Sequence, residues 1–291
     1  NGGPVKDIPF FHVDEINVGA KKVQALRHGM AGAPGLEIWG PYGDKHHIQS
    51  TILQAARDIG VNLVQVGSRA YSTNTLESGW IPSPLPGIYS GDGMMQEYCD
   101  WLGADSYEAV GSIGGSYVSD DIADYYVNPF ELGYSFYIGW KKDDFIGKAA
   151  LQKMKDGPNR KKVTFEWNKE DVLRVIASGL EQGTPFKWID FPQPNYASST
   201  ADMVMQGDKM MGMSMFNGYS YNERCFLSLG VVDPSVQIGD VLNLKWGEPA
   251  QTGKTSTEQH VQTDIRVRVS DTPYAKDARE NYADSWRTKA D

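Results

Sequence analysis

The sequence predicts an α+β fold in two parts, an α/β layer followed by a small antiparallel barrel or sandwich. Three observations lead there. A strand–helix–strand rhythm runs from about residue 8 to residue 66. A Gly157-Pro158 pair with Arg160-Lys161-Lys162 behind it punctuates the middle of the chain. Beyond residue 185, short alternating runs separated by turn residues replace the helical pattern.

The first part reads as follows. Phe10-Phe11-His12-Val13 and residues 22–27 form candidate paired strands around a turn near Gly19. Leu36-Glu37-Ile38-Trp39 follows the turn-rich Gly32-Ala33-Pro34-Gly35. Its alternation sets Leu36 and Ile38 on one face, Glu37 and Trp39 on the other. Asp44 is the expected N-cap of a helix over 45–59, with Ile48, Ile52, Leu53, Ala55, Ala56 and Ile59 as its apolar stripe and Gly60 as its stop. Residues 61–66 read as a short strand. The prolines at 82, 84 and 86 forbid a helix and predict an extended loop. A short helix over 93–102, an irregular stretch over 109–140 and a helix over 145–155 complete this part, which spans 1–157.

The second part spans 158–275. A strand over 162–167 leads into a helix over 169–180 capped by Asn168. Strands follow at 201–205, 209–216, 226–232, 241–246 and 263–269, with Gly207-Asp208 and Gly239-Asp240 as turns. Ile265, Val267 and Val269 mark one face of the last. The polar stretch 276–291 reads as an exposed helix or a partly disordered tail.

Composition narrows the function. The 291 residues carry 37 acidic and 28 basic side chains, a net charge of -9. That balance argues against nonspecific nucleic-acid binding, which needs a basic surface. No run approaches the roughly 18 apolar residues that span a membrane. Two distant cysteines, Cys99 and Cys225, have neither metal-ligand spacing nor a disulfide framework, which fits a reduced, cytoplasmic setting. Fifteen Tyr and eight Trp could serve as core mass or line a pocket for a flat ligand.

Familiar catalytic motifs are missing. There is no P-loop and no His-Glu-x-x-His. Gly111-Ser112-Ile113-Gly114-Gly115 reads as a turn and does not match the dinucleotide fingerprint. His46 and His47 adjoin on a predicted helix, point to different sides and do not share a metal. The alternating Met203, Met205, Met210, Met211, Met213 and Met215 suit strand packing. Two polar groups stand out. Glu37 interrupts an apolar strand, where a carboxylate could accept two hydrogen bonds from an amidine-like ligand edge or simply face water. Arg69 follows a buried-type strand at its carboxyl end, a common place for ligand groups, and could equally be an ion-paired surface residue.

Several segments, in order, resemble the aminomethyltransferase (glycine-cleavage T-protein) family. They are Pro34-Gly35-Leu36-Glu37-Ile38, Ser68-Arg69 with Leu76-Glu77-Ser78-Gly79, Asn128-Pro129-Phe130-Glu131-Leu132-Gly133, Phe145-Ile146-Gly147-Lys148-Ala149-Ala150-Leu151, and the barrel runs at 227–232 and 239–242. The chain departs from the T-protein after its Arg, where Ala70-Tyr71 replaces an Asp. Residues 67–86, the opening Asn1-Gly2-Gly3-Pro4 and Arg27-His28-Gly29-Met30-Ala31-Gly32 are similar to the family's vanillate, 3-O-methylgallate and syringate O-demethylase branch.

The resemblance implies a T-protein-like folate-binding region followed by a C-terminal antiparallel β-barrel. It implies tetrahydrofolate as cofactor and a methoxylated aromatic acid as methyl donor. Glu37 becomes the pterin anchor, Arg69 a second folate contact, Trp80 a packing surface for the folate and Tyr71 a candidate proton donor. Phenoxide is a reluctant leaving group, so a hydrogen bond or proton delivered to the ether oxygen lowers the barrier. Glycine-cleavage aminomethyl transfer, with a lipoyl-carrier partner, and a non-catalytic folate-binding module are the alternatives. The family places further groups in a long N-terminal segment, and the expectation is that this chain is the later part of such a fold.

Overall fold

The computed structural model describes residues 6–30, 33–82, 94–103, 106, 113–195, 197, 199–250 and 257–281. The opening Asn-Gly-Gly-Pro, Ala31-Gly32, Gly111-Ser112, the Pro-rich run beyond Pro82 and the tail beyond 281 lie outside them. The chain divides into two compact units, Asn1–Asn74 with Ala275–Asp291, and Thr75–Tyr274.

The first unit holds an antiparallel sheet of β1 (Val13–Val18), β2 (Lys21–Met30) and β3 (Ala33–Trp39), in that order. Gly19, at φ 60°, makes the expected turn between β1 and β2. Phe10 and Phe11 form a turn ahead of β1, from which the Phe11 N–H donates to the Arg27 carbonyl of β2 at 2.9 Å. Phe11 has a left-handed φ of 60°, which breaks an extended run, and its ring stays in solvent. Alternation along β1 and β2 buries Ile16, Val18, Val23 and Ala25, and Ile8 and Ile48 complete this small core.

Helix α1 (Lys45–Asp58) lies where the sequence places it, and Gly60 at φ 73° ends it. Asp44 precedes it but does not cap it with its side chain. Its carboxylate pairs instead with Lys21 at 2.7 Å. Residues 61–66 are not a strand. Val61, Leu63, Val64 and Val66 are exposed, and among the described residues no strand pairs with them. Apolar β-formers alone do not make a strand; a partner must take up the backbone N–H and C=O groups. Two short helices close the segment, α2 (Ser68–Ser72) and α3 (Asn74–Ser78). Helix α4 (Met94–Trp101) follows.

In the second unit, β4 (Ile113–Gly114) pairs in parallel with β6 (Ser199–Thr200). The other strands are β5 (Lys161–Trp167), β7 (Asp202–Gln206), β8 (Lys209–Ser220), β9 (Cys225–Val232), β10 (Val241–Trp246) and β11 (Thr263–Ser270). They close into a barrel in the order β10-β11-β5-β9-β8-β7, with every pair antiparallel. The sequence left barrel and sandwich open; the β7–β10 pairing, which sets Val204 opposite Leu244, decides for the barrel. Alternate residues point inward: Phe165, Trp167, Val204, Leu242, Leu244, Trp246, Ile265, Val267 and Val269 fill the core. The Trp167 indole N–H donates to Ser228 Oγ at 2.9 Å, and that of Trp246 to the Lys187 carbonyl at 2.7 Å, so neither is buried unsatisfied. The alternating methionines are packing residues. Met211 enters the barrel core, while Met213 packs outside it with Tyr125, Ala201 and Val231.

The helix Lys169–Ser178 carries the expected cap, with the Asn168 side chain accepting from the Asp171 N–H at 3.1 Å. Its Val172 and Val175 are buried, and Asp171 ties it to Arg266 of β11 at 2.8 Å. Two buried carboxylates hold the loop after β4. Asp202 accepts from the Ser116 N–H at 3.0 Å and Glu248 from the Gly115 N–H at 2.9 Å. Burial pushes the Asp202 carboxyl up to about 7, with the nearby Glu248 charge adding to the rise.

Two outcomes test this account. A Cβ at Gly230 would overlap the Met213 carbonyl oxygen and lie 2.7 Å from Phe165 Cε2. Gly230→Ala should therefore cost about 1–3 kcal/mol in denaturant unfolding. Asp202 ionises later in the folded protein than in the unfolded chain. Its contribution is thus complete below the ordinary carboxyl value and is lost as pH rises from about 4 to about 7. Asp202→Asn should flatten that decline in an unfolding series across the window, and an unchanged slope would exclude Asp202 as its source.

Candidate functional site

Glu37 sits mid-way along β3, the end strand of its sheet, opposite Leu26. Its side chain is 55% exposed. Two residues beyond Leu26 on the same face, His28 brings Nε2 to 3.6 Å from Glu37 Oε1. His28 Nδ1 is buried without a hydrogen-bond partner among the described residues. The histidine was not singled out in the sequence. Register could have found it, because positions i and j±2 of paired strands are diagonal neighbours.

Arg69 and Tyr71 share α2. Gly67 enters this helix with extended backbone, and the Tyr71 N–H donates back to the Gly67 carbonyl at 2.9 Å. Residues two apart on a helix point to different sides, so the helix does not set these two side chains together. Both are exposed. Glu37, Arg69 and Tyr71 belong to the first unit and Trp80 to the second.

Trp80 follows α3 and is 47% exposed, between two buried neighbours in the chain, Gly79 and Ile81. Leu76 and Ile81 anchor the segment in a cluster with Leu132, Leu227 and Leu229. Glu77, also buried, accepts from Ser220 Oγ at 2.5 Å and from Asn222 Nδ2 at 3.0 and 3.2 Å. Gly79 has φ 72°, and a Cβ there would overlap Thr272 Oγ1 and lie 3.2 Å from Pro273 Cα. Only glycine fits that turn without strain. The Gly79 carbonyl accepts from Lys162 Nζ of β5 at 2.8 Å. An aromatic face is thus held toward solvent on a rigid, barrel-anchored turn.

The Asn128–Gly133 segment is a second anchored turn. Asn128 Oδ1 accepts from the N–H groups of Phe130 and Glu131, and Glu131 holds Arg160 at 2.7 and 3.0 Å. Burial pushes the Glu131 carboxyl up, but the Arg160 guanidinium and the Asn128 N–H outweigh it and hold it below its ordinary value. This glutamate is a structural pin. A small hollow, lined by Ser199 and Thr200 as well as by Ile113, Tyr125, Met213 and Met215, contains none of the four candidate residues. Among the described residues no group of three or more His, Cys, Asp or Glu could hold a metal, and no helix is long and apolar enough to cross a membrane.

The first unit offers an exposed carboxylate beside an imidazole, together with an exposed guanidinium and phenol, and the second unit offers an indole face. A carboxylate of this kind suits a ligand edge that carries hydrogen-bond donors.

No family model matches the chain. It is 43% identical over 285 residues to a syringate O-demethylase of Sphingobium sp., covering 97% of this chain and 61% of that protein. An aminomethyltransferase of Caldanaerobacter subterraneus is 28% identical over 158 residues, 54% of this chain and 32% of that one. The chain is thus similar to the aminomethyltransferases. A further similar sequence, a sesamin methylene transferase of Sinomonas sp., is 29% identical over 285 residues, 92% of this chain and 60% of its own length. The crystal structure of the glycine cleavage system aminomethyltransferase T from Bartonella henselae superposes with a TM-score of 0.54 at 16% identity, over 95% of this chain and 55% of that one. That likeness establishes the T-protein fold for the α+β arrangement described above. The chain spans about three fifths of the length of the syringate and sesamin relatives.

Glu77 gives the test of the anchored turn. Glu77→Ala removes the acceptor of the buried Ser220 hydroxyl and of the Asn222 amide and should cost about 1–3 kcal/mol in thermal or denaturant unfolding. Leu173→Ala, on the exposed face of its helix, should stay within about 0.5 kcal/mol of wild type and serves as the control.

Proposed function

We propose that this chain is the folate-binding part of a methyltransferase that removes the methyl group of a methoxylated aromatic acid and passes it to N5 of tetrahydrofolate. The observation that carries this reading is the 43% identity, along 97% of the chain, to a protein named for demethylating syringate. Catalysis of this kind also suits the altered stretch after Arg69, where Tyr71 offers a phenolic O–H donor.

The residues present fit tetrahydrofolate. A pterin edge carries an amino group and a ring N–H, both donors. Glu37 offers a carboxylate more than half open to solvent, with its orientation biased by His28. Arg69 supplies a cation for a second contact, and the Trp80 face supplies a stacking surface on a turn that does not yield. Tetrahydrofolate, when bound, supplies the N5 amine that accepts the methyl group. Tyr71 holds its proton for the ether oxygen, stabilising the charge that builds there as the bond to carbon breaks. Holding donor and acceptor in line is the other requirement of the reaction.

A cytoplasmic setting, with no nucleic-acid or membrane partner, belongs to the same proposal and rests on the acidic balance and the two separate cysteines. The aminomethyltransferase relative supports the glycine-cleavage alternative, which needs a lipoyl-carrier protein. The relatives' greater length supports the third, a module that binds folate and depends on further polypeptide for turnover.

Incubation with tetrahydrofolate and syringate or vanillate separates the three. Formation of 5-methyltetrahydrofolate and a free phenol is the expected result. Folate binding without either product favours the module, and turnover only with a lipoylated carrier favours glycine cleavage. Glu37→Ala should weaken tetrahydrofolate binding by about tenfold or more, the loss of one charge-assisted contact. Tyr71→Phe should keep binding and lose turnover. Wild-type affinity in Glu37→Ala overturns the assignment of the pterin anchor.

A further inference from the structure

Lys162 is a half-buried basic group of the second unit that the mechanism above leaves without a task. It lies on β5, opposite Val231 of β9, and its stem runs beneath the turn that carries Trp80. Its Nζ donates to the buried Gly79 carbonyl at 2.8 Å and stands 5.2 Å from the centre of the Tyr134 ring. Among the described residues no carboxylate comes within ion-pair distance of it. Gly133 lies beside its stem, at ordinary packing distance from Lys162 Cε. Burial holds its ammonium down, to about 8.

A lysine half removed from water without a counter-ion costs stability, and a core of this kind is more easily filled by an apolar side chain. What the ammonium does here is specific. It satisfies a carbonyl that no strand or helix takes up, in the residue immediately before Trp80. The opposite side of the same residue is blocked by Thr272 and Pro273. Gly79 is thus gripped between a donor on β5 and a wall after β11, and the direction in which the chain leaves toward Trp80 follows from that grip.

We propose that Lys162 is a positioning residue for ligand binding, whose bond to the Gly79 carbonyl sets the orientation in which Trp80 is presented to the folate. This rests on the reading of Trp80 as a folate-packing surface. Lys162 itself touches no ligand in this scheme. It acts through the backbone, so its effect should vanish when the indole it aims is absent.

Calorimetric titration of the full chain with tetrahydrofolate tests this in five variants, each first shown to be folded by circular dichroism. Lys162→Met should weaken binding by about tenfold, as Trp80→Ala does, and the Lys162→Met/Trp80→Ala double variant should be no weaker than Trp80→Ala alone. Lys162→Arg, which can still donate to the carbonyl, should recover most of the affinity. Gly79→Ala perturbs the same grip from the opposite side and should reproduce the Lys162→Met defect with the lysine intact, which keeps the test open if Lys162→Met does not fold. Wild-type affinity in Lys162→Met, or losses that simply add in the double variant, overturns the proposal. Unchanged binding in Trp80→Ala overturns the reading of Trp80 instead, and the inference with it.

Discussion

Closure of the six-stranded sheet is the constraint on which the second unit depends. Once β7 pairs with β10, no strand of the barrel has a free edge, and each inward residue faces others from across the sheet. Phe165 can then lie against Gly230, and Trp167 against Trp246 at 5.2 Å between ring centres. The outside of the same wall becomes a fixed platform. Ser220 at the end of β8 and Lys162 near the start of β5 both reach the α3 turn, one through Glu77 and the other through Gly79. The exposed Trp80 therefore inherits its position from a closed ring of hydrogen bonds, in the way that binding groups on loops are held by rigid scaffolds.

The first unit is built on a different principle. Its sheet is open, its buried cluster is small, and from α1 the partly buried Ile48 packs against that cluster. Glu37 is consequently a surface residue with one neighbour of note, His28. A carboxylate left in water retains its hydrogen-bonding capacity for a ligand, whereas Glu77 and Glu131 have spent theirs on Ser220, Asn222 and Arg160. Three glutamates in family-like motifs thus divide into one that is open to chemistry and two that hold turns.

The barrel was largely legible because its signals are local. Alternation of Ile265, Val267 and Val269, the Gly207-Asp208 and Gly239-Asp240 turns and the Asn168 cap each need only a few residues to declare themselves, and the strands lie within a few residues of where they were expected. Readings that depended on a partner fared differently. Residues 61–66 have strand composition and no strand beside them among the described residues, so the pattern is present without the element. Asp44 has the right type and place for a cap, yet its charge goes to Lys21. At the candidate site, Glu37, Arg69, Tyr71 and Trp80 were all legible as positions through the resemblance. Lys162 was not, because nothing in its surroundings in sequence announces that Gly79, more than eighty residues earlier, lacks a donor.

The outer side of β3 has a consequence for the molecule in solution. This is the last strand of its sheet, and Leu36, Ile38 and Trp39 are all exposed along it. Such a border exposes backbone donors and acceptors in register beside apolar side chains, the pattern that templates growth of a sheet by another chain. Most globular proteins blunt it with lysine, proline or a bulge. Here Pro34 stands near the start of the strand, and between Leu36 and Trp39 a single charge, Glu37, remains to discourage a stray strand. The residue proposed as a ligand anchor thus doubles as the one charge on this stretch of edge, and neutralising it should lower solubility.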